Sequence, residues 1–446
     1  MRGTRRRSVL TLVVAFALLA AACGNSEKKA AGTSTTADDG APPATALPGE
    51  NVPVDAPGVT DDEIRVGGVV SVENPLGGKY GDAYAGVEAY FKMVNDAGGI
   101  YGRELVLGPK RDDGGFRNSQ EVQALLTEDI FAALPIATLL FTGAQALVDE
   151  GIPTFGFTIN TEWEGNEEEP RANLFGQSGS FLCFNCASPV LPWLAKELGA
   201  KRIGVLAYAV PQAALCADGI EAAFEKYGDA SDAEVVFVDK SLAFQATSFS
   251  VQVERMKQEG VDLVTACMDT NGVVSIAKEM KLQDLDAVQY LPNAYDHEFL
   301  DEFGDLFEGS YVRTDFVPWE VEDKPEALQT YLDAMEDAGE EPSENSLVGW
   351  INADMFVTGL REAGPEFSRQ KVIDAINELT DYDAGGILHG VDWTKQHTEL
   401  AKPDEGCQVL TKITDSEFDP VYTEPGKPFV CVIGGDGSEL TSRFDP

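Results

Sequence analysis

The most reactive spacing in the chain is Cys183-Phe-Asn-Cys186, two thiols separated by two residues. Such a pair suits thiol-disulfide exchange when it follows a buried strand and opens a helix. Here Gly176-Gln-Ser-Gly-Ser180 precedes it, which is loop composition. Structural crosslinks are therefore the favoured reading, and a secreted thiol-disulfide enzyme using Cys183 and Cys186 is the rival. The chain has 7 cysteines. If Cys23 is set apart, the others are even in number and fit disulfides. Cys407 and Cys431 are the firmest pair, because Gln408 to Ile413 and Phe429 to Ile433 read as strands able to lie side by side. The pairing of Cys183, Cys186, Cys216 and Cys267 stays open. His297, His389 and His397 are the only histidines, and none forms a metal pair on one helix face. No Gly-x-Ser-x-Gly elbow and no phosphate loop appears, and Gly434, Gly435 and Gly437 read as a terminal turn. Carboxylates are too many for a catalytic pair to be singled out. The residues thus point away from an enzyme and call for no catalytic residue, metal or cofactor.

Cys23 belongs to a different chemistry. Arg2, Arg5, Arg6 and Arg7 precede an apolar run over residues 8–22 that ends in small side chains, the layout of a secretory signal peptide. It resembles a lipoprotein signal, in which the cysteine becomes the lipid-bearing N-terminus; Ala20 stands where leucine is commoner. Residues 23–60 follow as a lipid-anchored tether. They are rich in Ala, Gly, Ser, Thr, Pro and Asp and cannot bury enough apolar surface to offset ordering. A coil of that length reaches on the order of 30 to 35 Å. The formal charge is −42, and loss of residues 1–22, with four arginines and no acid, makes it −46. Nucleic acid and anionic membrane are poor partners for such a chain. Membrane contact is expected through the lipid alone, giving an extracytoplasmic protein held at the cell membrane.

The elements that must position any site alternate between strand and helix signals, the pattern of α/β layers with parallel sheets. Ile64 to Ser71 is a buried-strand run, after which Tyr84, Val87, Phe91 and Val94 recur at helical spacing until Gly98-Gly99. Leu105 to Leu107, Ile130 to Leu134 and Ile152 to Phe157 continue the first series. Ile203 to Tyr208, Val235 to Val238, Val261 to Cys267 and Ala287 to Leu291 form a second. Between these lie helices with stripes at Phe249, Val253, Met256 and at Val273, Ile276, Met280, with Gly228 and Gly260 read as stops. Two successive α/β blocks imply two doubly wound lobes with a cleft between them.

Several segments carry a resemblance: Gly58-Val-Thr-Asp-Asp-Glu-Ile-Arg-Val-Gly67, Lys79-Tyr-Gly-Asp82 and Val94-Asn-Asp-Ala-Gly-Gly-Ile-Tyr-Gly-Arg103, then Gly151-Ile-Pro153, Thr247 to Asp262 and the helix Trp350 to Gly364. Together they are similar to the type I periplasmic-binding-protein fold in its leucine/isoleucine/valine-binding branch. The resemblance implies a solute receptor of an ABC transporter. It would capture a small solute, an amino acid or a related amide or organic acid, for a membrane permease and its ATPase. A ligand-sensing lobe pair without transport is the other reading. Lobe I is expected over 61–178 plus 314–398 and lobe II over 179–313 plus 399–446, with hinge crossings near 179, 313 and 399.

In such sheets ligands collect beyond the carboxyl ends of the strands. In the first lobe that means Val72 to Tyr80, with Asn74, then Pro135 to Thr138 and Phe157 to Trp163. The resemblance puts Tyr80 where branched-chain receptors use a tyrosine against the ligand. It also matches Thr138 and the Thr158 to Asn160 segment to carboxylate-holding groups. Helix capping is the bland alternative for Thr and Asn at such junctions. The second lobe departs from the pattern after Tyr208, reading Ala209-Val-Pro-Gln212, and has no clear counterpart of the glutamate that takes an ammonium group. Asp269 or Asp296 could replace it, each equally a helix cap, while Trp163 and Tyr295 could wall the cleft.

Overall fold

The computed structural model describes residues 51–166, 168–181, 185–244, 246–292, 294–397 and 404–446. Two sheets organise them. The first is parallel, with order β2-β1-β3-β4-β5, where β1 is Glu63–Val70, β2 Glu104–Asp112, β3 Ala132–Leu134, β4 Thr154–Gly156 and β5 Leu174–Gly176. β1 lies between two neighbours and is buried along most of its length, which explains why Glu63-Ile-Arg-Val-Gly-Gly-Val-Val70 reads as a nearly unbroken apolar run.

The second sheet has a parallel half and an antiparallel edge. β6 (Arg202–Tyr208), β7 (Glu234–Leu242), β8 (Leu263–Cys267), β9 (Val288–Leu291) and β10 (Tyr311–Thr314) run parallel in the order β7-β6-β8-β9-β10. β11 (Glu405–Thr414) adds antiparallel to β10 and pairs in turn with β12 (Glu417–Val421) and β13 (Phe429–Ile433), with β14 (Thr441–Asp445) beyond. Cys407 and Cys431 stand opposite each other in the β11/β13 register and form a disulfide. A second disulfide joins Cys216 to Cys267. Cys186 is also disulfide-bonded, while Cys183 and Cys23 lie outside the described residues.

Helices cover both sheets: α1 (Asp82–Asp96), α2 (Asn118–Leu125), α3 (Ala144–Asp149), α4 (Val190–Leu198), α5 (Pro211–Ser231), α6 (Ser250–Gln258), α7 (Thr270–Leu282), α8 (His297–Phe307), α9 (Glu326–Ala338), α10 (Glu344–Ala363) and α11 (Arg369–Asn377). α10 is the most buried; from Ser346 to Leu360 almost every side chain is inside, because α1, α11 and β4 all pack on it. α1 and α10 cross closely enough that glycine is required on both. A Cβ at Gly86 would lie 1.8 Å from the Ser346 carbonyl oxygen, and one at Gly349 would lie 2.1 Å from that of Ala83.

Several expectations need correcting. Gly228 does not stop a helix: α5 runs through it to Ser231 and ends at Asp232, which takes the left-handed conformation. Gly260 does follow its helix with positive φ, as do Gly98 and Gly99. β5 and β10, of three and four residues, carry too little alternation to be seen in the sequence. The span read as tether is shorter than 23–60. Val54, Ala56 and Val59 pack on the core, the Arg103 guanidinium donates to the carbonyl oxygens of Val52 and Thr60, and the Gly58 amide donates to Asp129. Among the described residues no helix is long and apolar enough to cross a membrane.

Candidate functional site

Between the two lobes lies a cavity of about 1210 Å³, above the roughly 300–1,000 Å³ usual for small-molecule sites. Its walls are the segments that follow the carboxyl ends of strands in both sheets. From the first sheet come Leu76 to Tyr80 after β1, Gly115 and Phe116 after β2, Ala137 to Leu140 after β3, and Phe157 and Ile159 after β4. From the second come Tyr208, Val210 to Ala213, Phe244, Met268 to Thr270, Pro292, Tyr295 to Glu298 and Arg313 to Asp315. The α9–α10 connection, Gly339 to Asn345, closes another side. The N-termini of α1, α5, α7, α8 and α10 all meet at this space.

Six expected residues line it: Tyr80, Thr138, Tyr208, Asp269, Tyr295 and Asp296. Tyr80 is half-buried and its hydroxyl makes no hydrogen bond among the described residues. Desolvation, then the nearby charges of Asp269 and Glu344, raise its pKa. Thr138 is buried, and its Oγ1 has no partner among the described residues. The Tyr208 hydroxyl donates to Asp269 Oδ1 at 3.0 Å, the same oxygen that caps α7 by accepting from the Gly272 amide at 2.7 Å. Burial raises the Asp269 pKa, with the two hydrogen bonds opposing. Asp296 caps α8 through the Phe299 amide at 3.2 Å. Both carboxylates are thus helix caps and cavity walls at once.

Tyr295 only borders the space, and the remaining expected residues fall elsewhere. Tyr295 is 1% exposed, and its hydroxyl donates to Glu320 Oε2 at 2.6 Å and accepts from the Trp319 amide. It is mainly a packing residue, ringed by Trp319, Phe316 and Phe418. Trp163 does not reach the cavity: it is fully buried and stacked on Phe141 at 4.5 Å in the core behind β3 and β4. Thr158 is likewise buried behind the wall. The Asn74 amide nitrogen donates to the carbonyls of Ser71, Val72 and Gly78, shaping the loop that carries Tyr80 rather than facing the cavity.

Asn160 also misses the cavity wall but joins the lobes. Gln212 at the start of α5 donates through Nε2 to Asn160 Oδ1 at 2.9 Å and to the Leu139 carbonyl at 2.7 Å. On the other side Asn271 of α7 donates to the Leu76 carbonyl at 2.7 Å, and Lys79 pairs with Glu298. These contacts link the two lobes across the cleft.

Sequence reasoning missed Arg313 and Glu344. Arg313 lies at the end of the short β10 and pairs with Asp315 at 2.9 Å. Glu344 opens α10, whose start was read as Trp350. The signal was there: Ser343 caps the helix, exchanging bonds with Ser346 in a capping box. The Glu344 side chain makes no hydrogen bond and no close ion pair among the described residues. Desolvation, with Asp315 and Asp296 adding and Arg313 opposing, pushes its pKa up to about 8.

Comparison with known proteins accounts for this architecture. A branched-chain amino acid ABC transporter protein from Thermus thermophilus with bound valine is 18% identical, with a TM-score of 0.67 over 81% of this chain and 95% of that one. A fatty acid ABC transporter substrate-binding protein from Thermomonospora curvata is 17% identical, TM-score 0.65, over 82% and 93%. A solute-binding protein from R. palustris in complex with 4-hydroxybenzoate is 15% identical, TM-score 0.63, over 80% and 95%. No curated protein matches the sequence. The family described as periplasmic binding protein matches residues 63–403, and the chain belongs to that family.

Proposed function

We propose that this protein is the substrate-binding component of an ABC importer, capturing a small solute between its lobes and delivering it to a membrane permease and its ATPase. The observation that carries the reading is the cavity itself, walled by post-strand loops of both sheets and bridged by Gln212, Asn271 and Lys79. A site built this way responds to occupancy by opening and closing. The similar structures concern valine, fatty acid and 4-hydroxybenzoate, so the shared fold leaves the solute open. Lobe exchange near residues 179, 313 and 399 would form the hinge; residue 399 lies outside the described residues. Attachment through a lipidated Cys23 would keep the receptor beside its permease after export.

A thermal-shift screen over amino acids, amides, amines, aromatic acids and fatty acids tests the reading. A solute at 100 times its Kd adds about 2.7 kcal/mol of stability, which a melting curve resolves. A flat response across all classes would contradict solute capture. The sensing alternative predicts the same melting result and differs in its partner: a transport receptor is encoded beside permease and ATPase genes.

A further inference from the structure

We infer that the captured solute is an amphiphilic organic cation, its charged nitrogen held beside Glu344 and its apolar body against Phe116, Leu140, Phe157 and Phe244. The inference rests on the capture reading and narrows its ligand.

The charges around the cavity are one-sided. Five half-buried carboxylates line it, Asp82, Asp269, Asp296, Asp315 and Glu344, and four exposed ones sit nearer solvent. Against them stand Lys79 and Arg313, each already paired, with Glu298 and Asp315 respectively. A carboxylate ligand would find neither cation unengaged, and it would enter a space whose potential repels it. Helix N-termini often explain acids in such places. That account suffices for Asp269 and Asp296, which cap their own helices. Glu344 also lies in the first turn of its helix, but unlike those two it caps nothing: its side chain gives no oxygen to any donor among the described residues, although it lines the cavity.

A second feature of the wall points the same way. Thr138 is 2% exposed, lines the cavity, and its Oγ1 has no partner among the described residues. A buried hydroxyl left unsatisfied is costly, and an N–H donor on a ligand would satisfy it. The apolar share of the wall explains why a bare inorganic cation is a poor match. Phe116 is 63% exposed, a large apolar side chain presented to the cleft mouth with nothing covering it.

The protonation of Glu344 supplies a distinctive readout. Asp315 and Asp296 face it as charges that disfavour ionisation, Arg313 as one that favours it, and the Tyr80 hydroxyl lies within their field. With its pKa near 8 in the empty cavity, the group is mostly protonated at neutral pH. A bound cation favours the ionised form, so binding releases a proton and tightens as pH rises towards 8, by up to about tenfold per unit.

Three molecules of one shape and different charge test this: 2-phenylethylamine, L-phenylalanine and 3-phenylpropionate, titrated at pH 6, 7 and 8 by thermal shift and calorimetry. The amine should bind most tightly, with affinity increasing with pH. Glu344→Gln, checked by circular dichroism for a native fold, should weaken the amine tenfold or more and flatten its pH dependence. Tighter binding of phenylalanine or 3-phenylpropionate overturns the inference while leaving solute capture intact. So does an amine without effect at millimolar concentration, or an unchanged amine affinity in folded Glu344→Gln. Capture itself falls only if the broad solute screen is also silent.

Discussion

Asp269 uses one oxygen for two neighbours, the Gly272 amide of its own helix and the Tyr208 hydroxyl, which leaves Oδ2 without a bond among the described residues. The helix fixes the carboxylate, and the residue borders the cavity. Tyr208 is positioned by the same bond, with Phe244 edge-on to its ring at 5.5 Å. Trp163 shows the opposite case, an aromatic beyond a strand that serves only the core. Trp163→Ala should cost about 3–5 kcal/mol of stability, read in denaturant unfolding, with the folded fraction keeping the parent's affinity. An equal loss of affinity would mean that it shapes the site after all.

At the level of elements, spacing in the sequence was enough for the long, strongly patterned pieces. Ile64 to Ser71, Ile203 to Tyr208 and Val261 to Cys267 lie on β1, β6 and β8, and the stripes at Val253 and Met256 and at Val273, Ile276 and Met280 face inward on α6 and α7. What escaped was set by contacts distant in sequence. β10 is four residues long and is defined by its neighbours β9 and β11. α10 hides its start because it is buried all round, so its apolar periodicity marks no single face. The site suffers most from this, since Arg313 and Glu344 enter the cleft from those two elements. Asp269 and Asp296, by contrast, are visible as acids at strand-to-helix junctions; both cap their helices and both border the cavity. The α1/α10 crossing gives the element-scale prediction. Gly86→Ala places a methyl against the Ser346 backbone, so the helices must separate; destabilisation at or above the usual 1–3 kcal/mol of overpacking is expected, roughly. Because Glu344 opens α10, solute affinity should drop as well. A Gly86→Ala protein as stable as the parent would show that the pair is less tightly set than described.

Across the whole molecule, the two sheets meet at one cavity walled by the loops that follow their strands. The body is held by contacts from Val52 on, so the proposed tether from Cys23 would have to end before that point. Cys23→Ser should release the protein into the medium or leave it unprocessed; a mutant as membrane-bound and lipid-labelled as the parent would refute the anchor. The bonds from Gln212 and Asn271 across the cleft are expected to break on opening, and solution scattering should then show a smaller radius of gyration with solute than without. The most direct test of capture in this cleft is a calorimetric titration of the best solute from the screen into the parent and into Tyr80→Ala. Tyr80 borders the cavity between Asp269 and Glu344, so its truncation should weaken binding by about 1–3 kcal/mol and leave the melting temperature of the empty protein nearly unchanged. A folded Tyr80→Ala protein with the parent's dissociation constant would contradict the account.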